Sequence, residues 1–142
     1  ALAGFSRGGL DTVNWAVKNP DKIACLYLDN PVCDFKSWPY RRAGEEWRRC
    51  LAAWGFTEEE ALAYPRNPVD NLAPLAKAKI PLLIVCSDAD ETVPPEENAL
   101  IVEQRYRALG GEVVMIHKTG VGHHPHSLEN PAPIVEFLEA HR

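Results

Sequence analysis

The sequence predicts an α/β fold, a parallel sheet flanked by helices, with a helical lid-like insertion between two of its strands. Three observations lead there. Short apolar runs alternate with stretches of helical period along the chain. The runs are continuously apolar rather than alternating, as strands buried on both faces require. One stretch rich in tryptophan, residues 34–68, breaks the alternation.

Taken in order, residues 1–4 read as the tail of a strand. From Gly9 to Asn19, Leu10, Val13 and Val17 fall on one helical face, and Pro20 closes the helix. "IACLYLDNP" predicts a buried strand from Ile23 to Leu28, broken at Asn30-Pro31. In the insertion, Trp47, Leu51 and Trp54 share a helix face, and Gly55 ends that helix. Thr57 with Glu60 then forms a capping-box pattern for the next. "IPLLIVCSDAD" is the next strand. "NALIVEQRYRALGG" is a helix stopped by Gly110 and Gly111, with Val102, Tyr106 and Leu109 at helical spacing. "EVVMIHKTG" is a strand, and a last helix from about Pro131 presents Ile134, Phe137 and Leu138 to the core. Such open sheets bind ligands at the carboxyl ends of their strands, where the insertion emerges, so residues 34–68 are expected to cover a site.

The 142 residues suit one domain, with 46% hydrophobic and 25% charged residues. A net charge of -5 argues against a nucleic-acid partner, and no apolar run is long enough to cross a membrane. The only basic doublets, Arg41-Arg42 and Arg48-Arg49, read as a solvated helix face. Of the four cysteines, Cys25 and Cys86 sit in apolar runs as buried thiols, whereas Cys33 with Cys50 is a pair that an oxidising compartment could bridge, which spacing alone does not show.

Three loops carry the chemistry. In "GFSRGG", Ser6 lies between a strand and a helix with Gly4 and Gly8 two residues to either side. That pattern fits a sharp turn that lifts a nucleophile out of the backbone. A side chain at either glycine is expected to collide with the neighbouring strand and helix. The turn aims the Arg7 N–H and the following helix N-terminus at the place where an oxyanion would form. "VCSDADETVP" places Asp88 and Asp90 after a strand, where an acid can orient a histidine. "KTGVGHHPHSLENP" crowds His123, His124 and His126 into one loop, three of the five histidines. A base there reaches a serine on the adjacent strand. A metal site is rated below it, because sequence neighbours such as His123 and His124 tend to diverge and no Cys/His pair at ligand spacing backs them.

Serine, then acid, then histidine, each after a successive strand, resembles the α/β-hydrolase superfamily from the nucleophile elbow to the final helix. The resemblance extends to the acid loop, Ser87 to Pro94, where Ser87 stands in for a glycine. It assigns the acid to Asp90, with Asp88 next and Asp34 third, and the base to His123 of Gly122-His123, with His124 as alternative. It implies a serine esterase with a Ser6–Asp90–His123 catalytic triad, the Arg7 amide in the oxyanion hole, and no cofactor. The elbow and histidine loop together resemble esterase-like hydrolases of decorated plant polysaccharides. A small-molecule or carbohydrate ester is therefore the expected substrate, with Trp38, Tyr40 and Trp47 candidates to line its pocket. A peptidase, a thioesterase and a non-catalytic binding domain of the same fold are the alternatives. The family also places several strands and a second oxyanion donor ahead of the elbow. Residues 1–142 are thus expected to be the C-terminal part of a catalytic domain, with 34–68 inserted in it. Alone, the chain is expected to be weakly active or inactive, and to self-associate through an exposed sheet edge.

Overall fold

The computed structural model describes residues 1–42 and 44–142. Four parallel strands lie in sequence order, β1 (Leu2–Phe5), β2 (Leu26–Asp29), β3 (Leu82–Ser87) and β4 (Val113–Lys118). Between them run α1 (Gly8–Lys18), α2 (Gly44–Trp54), α3 (Glu58–Leu62), α4 (Ala73–Lys77) and α5 (Ala99–Ala108), and α6 (Ala132–Ala140) follows β4. Each parallel step needs a crossover, which is why helices separate the strands.

The period of two along each strand divides the core. Leu26, Leu28, Leu82, Ile84 and Val113 point to one face, where Val13 and Ala16 of α1, Leu75 of α4, and Val102 and Tyr106 of α5 cover them. Tyr27, Leu83 and Val85 point to the other face, where Ile134 and Phe137 of α6 lie. Both faces are thus apolar, and β2 and β3 are buried along their whole length. The buried Tyr106 hydroxyl donates to the Ile80 carbonyl at 2.7 Å, so the one polar atom of that large side chain is satisfied.

The elements fall close to their expected places, with three differences. β2 begins at Leu26 rather than Ile23 and runs one residue past Leu28, because its register pairs Leu26 with Leu2 and Asp29 with Phe5. Leu109 is half exposed, since α5 ends before it and it no longer shares the buried face of Val102 and Tyr106. Arg48 and Arg49 follow the solvated-helix expectation, both exposed on α2, with Arg49 pairing with Glu45 and Glu46. Arg41 and Arg42 precede that helix and pair with Glu97 instead. All four cysteines are free thiols, Cys33 and Cys50 included.

Residues 34–68 form their own apolar cluster of Phe35, Trp47 and Ala61, with Leu10 of α1 packed against it. This cluster therefore rests on the first turn of the helix that follows Ser6. The expected capping box of α3 is present: Thr57 Oγ1 accepts from Glu60 N–H and the Glu60 carboxylate accepts from Thr57 N–H.

Candidate active site

Everything of chemical interest gathers at the carboxyl ends of the strands. Ser6 follows β1 with φ +48°, a left-handed conformation that a non-glycine residue adopts only when its surroundings impose it. They do so through the backbone. Ser6 N–H donates to the Asp29 carbonyl at 3.0 Å, and the Ser6 carbonyl accepts from Gly9 N–H at 2.9 Å and Val32 N–H at 2.8 Å. Among the described residues, the Arg7 N–H has no acceptor.

Of the two glycines that flank the turn, Gly4 acts as expected and Gly8 does not. A Cβ on Gly4 would stand 2.7 Å from Thr12 Oγ1 and 2.9 Å from the Gly8 carbonyl, which is the predicted collision. On Gly8 it would meet nothing within 4 Å, because that position opens away from the packed face. Gly9 is the second constrained position, with Pro31 Cβ and the Val32 carbonyl both 2.7 Å from its Cβ position. Gly9→Ala is therefore expected to cost about 1–3 kcal/mol and Gly8→Ala under about 0.5 kcal/mol. Thermal melts of the two variants check this.

Ser6 Oγ lies 2.8 Å from His123 Nε2, and His123 Nδ1 lies 2.6 Å from Asp90 Oδ2. The Asp90 side chain is buried, and its other oxygen accepts from Thr92 N–H at 3.0 Å and Val93 N–H at 2.9 Å. One carboxylate oxygen is thus held by the backbone and the other left for the imidazole. With Nδ1–H donating to Asp90, the neutral ring offers its Nε2 lone pair to the Ser6 hydroxyl, the tautomer that a general base needs.

The other candidates are placed elsewhere. The Asp88 carboxylate accepts from Gly120 N–H at 2.6 Å and pins the loop leaving β4. Asp34 accepts from Lys36 N–H at 2.8 Å, and burial raises its carboxyl above the usual range. His124 packs edge-on against His123, with ring centres 4.9 Å apart, so the two neighbours converge rather than diverge. Of the aromatic candidates, Trp38 lines a cleft of about 320 Å³ beside Arg7, with Leu10, Pro39, Cys50 and Trp54. Trp47 is buried instead, its indole N–H donating to Glu58 at 2.8 Å, and Tyr40 packs against it with ring centres 5.0 Å apart.

Two site residues, Asp29 and Asn30, escaped the sequence reading. Asp29 is fully buried at the end of β2, where its carboxylate takes the Tyr27 hydroxyl at 2.6 Å, Ser127 N–H at 2.6 Å and His126 Nδ1 at 3.0 Å. Burial, with Asp29 beside it, pushes the Tyr27 phenol well above its ordinary range, so it remains a donor. Asn30 joins three loops. Its side-chain oxygen accepts from Ser87 N–H at 2.8 Å, and its amide donates to Ser87 Oγ at 2.9 Å and the His123 carbonyl at 3.1 Å. Their signal was present as "DN" ending an otherwise apolar strand, two polar groups that burial obliges to find partners. Asn30→Ala strands the Ser87 N–H and the His123 carbonyl. It is expected to cost about 1–3 kcal/mol and to lower kcat with little change in KM, read by melts and steady-state kinetics.

A parallel sheet with a serine at the first strand-to-helix turn, and with acid and histidine on later loops, defines the α/β-hydrolase class. The chain belongs to the prolyl oligopeptidase family, whose sequence profile matches residues 1–141. Among solved structures it is similar to a puromycin hydrolase (TM-score 0.70, 24% identity over 97% of this chain and 20% of that one). It is also similar to dipeptidyl peptidase 4 of Porphyromonas gingivalis (TM-score 0.72, 17% identity, 99% and 19%). A third is the monoacylglycerol lipase of Paleococcus ferrophilus (TM-score 0.59, 20% identity, 99% and 68%). The chain spans about a fifth of the length of the two former proteins. No curated protein matches it by sequence.

Proposed function

We propose that this chain carries the nucleophile, base and acid of a serine hydrolase that cleaves an acyl bond, and that the bond is a peptide or amide. The observation that carries the reading is the unbroken hydrogen-bonded line from Ser6 through His123 to Asp90. Membership of the prolyl oligopeptidase family favours the peptide bond. The same chemistry serves an ester, and likeness of fold to a lipase keeps that as the second reading. The carbohydrate deacetylation expected from the sequence has no support in the family match.

In this reading His123 Nε2 takes the proton of Ser6 as Oγ attacks the carbonyl carbon, and the π electrons move to the oxygen. The Arg7 N–H donates to that oxyanion, and Asp90 stabilises the imidazolium. The intermediate collapses, His123 returns its proton to the leaving amine, and Ser6 is left acylated. Water then repeats the sequence, giving its proton to His123 and releasing the acid. The cleft beside Arg7, walled by Trp38, Trp54 and Leu10, suits an apolar or aromatic group next to the scissile bond. Residues 34–68 act as a cover over that cleft.

Arg7 supplies one oxyanion donor, and lack of a second would reduce turnover by about 10²–10³. The chain by itself is accordingly weakly active or inactive. Association through the edges of β1 and β4, the outer strands of the sheet, accompanies this reading. A fluorophosphonate probe tests the function on the chain and on any longer protein that carries it. Labelling at Ser6, absent from Ser6→Ala, is expected. A folded longer protein carrying this chain that takes no label overturns the reading. Peptide anilides compared with p-nitrophenyl esters then separate the two leaving groups.

A further inference from the structure

His124 and His126 have no part in the proton path just described, yet they complete a compact cluster with His123. The three rings meet edge to face with centres 4.9, 5.1 and 4.7 Å apart, close to an equilateral triangle. One nitrogen from each lies within 4.8 Å of the other two. Tetrahedral zinc with nitrogen at 2.0–2.1 Å separates its ligands by roughly 3.4 Å, so modest side-chain rotation closes the triangle onto an ion.

Two features beyond proximity suit a metal. His123 Nδ1 is engaged by Asp90 and His126 Nδ1 by Asp29, which leaves Nε2 of each ring as the nitrogen free to take an ion, that of His123 in exchange for Ser6. A carboxylate behind each imidazole is the arrangement that orients metal-binding histidines and raises their basicity. Asp90 and Asp29 are moreover buried acids, placing negative charge behind the triangle. Access is open on two sides, since His124 is exposed and His126 borders a surface cavity of about 590 Å³.

We propose that His123, His124 and His126 form an inhibitory site for a divalent ion that prefers imidazole, with Zn²⁺ as the probe. The ion accepts the Nε2 lone pair of His123, the same pair that otherwise accepts the Ser6 proton. No bond is broken and no electron is transferred; Ser6 simply keeps its proton while the ion is bound. The three nitrogens leave a fourth position for water. Mg²⁺, which demands oxygen ligands, does not compete. Metal binding stands on the histidines alone, whereas inhibition rests on the function proposed above.

The test has two arms. Isothermal titration of Ser6→Ala protein with ZnCl₂ is expected to show one site, with no heat from MgCl₂. His124→Gln is expected to weaken Zn²⁺ binding by more than about tenfold. In unsubstituted protein, Zn²⁺ is expected to block fluorophosphonate labelling and a chelator to restore it, while His124→Gln labels normally and resists the block. Absence of zinc binding overturns the site, as does binding that His124→Gln leaves unchanged. Zinc binding without any labelling of metal-free protein instead overturns the hydrolase reading. Labelling that proceeds with zinc bound overturns the inhibition.

Discussion

In a longer protein that carries this chain together with a second oxyanion donor, Ser6→Ala is expected to lower turnover by about 10⁶ with the fold unchanged. Among the described residues the missing atom makes one hydrogen bond, at 2.8 Å to His123 Nε2. The turn itself is held by main-chain bonds, from Ser6 N–H to Asp29 and from Gly9 and Val32 to the Ser6 carbonyl, and these survive the substitution. Alanine at φ +48° bears the same backbone strain as serine, so stability shifts little. The loss is then chemical: without Oγ no acyl-enzyme forms, and what remains is the weak effect of binding and one oxyanion donor. Turnover of a peptide anilide, beside a thermal melt, measures both. A fall of less than about tenfold would remove Ser6 from the reaction.

Asp90→Asn is expected to lower kcat by about 10⁴, for a reason visible in the hydrogen bonds. Oδ1 of Asp90 accepts two backbone N–H groups, from Thr92 and Val93, and Oδ2 receives His123 Nδ1. An asparagine must keep its oxygen toward the two backbone donors, since turning its NH₂ there would set three donors against one another. Its NH₂ therefore faces Nδ1, which must become an acceptor. The ring proton moves to Nε2 and points at Ser6, so the base is blocked while every heavy atom stays in place. Asp88→Asn and Asp34→Asn, whose carboxylates serve loop turns, are expected to stay within a few-fold of the parent. Rates of fluorophosphonate labelling across the three variants decide it. Equal losses at Asp88 and Asp90 would refute the assignment.

Much of this was legible before any coordinates. Continuous apolar runs such as "LLIVC" announce strands buried on both faces, and glycines around Ser6 announce a turn too tight for side chains. The capping box at Thr57 and Glu60 forms as written, because its two bonds span three residues and need no tertiary help. Local rules failed where packing came from elsewhere. Gly8 faces open space while Gly9 meets Pro31 and Val32, residues beyond the next strand. Trp47 and Trp38 looked alike in sequence, yet one is buried against Phe35 and Tyr40 and the other borders the cleft.

The sequence by itself determined the layered α/β class, the order serine, acid, histidine, and the placement of each at a strand's carboxyl end. Those properties follow from periodicity and turn chemistry within a few residues. The family resemblance ranked Asp90 and His123 first, and the tertiary structure set these two, rather than Asp88, Asp34 or His124, in a hydrogen-bonded line with Ser6. The tertiary structure alone joined Asp29 to His126 and Asn30 to the histidine loop. Each choice is a distance of about one hydrogen bond between loops far apart along the chain, and such distances exist only once the parallel register brings the strand ends level.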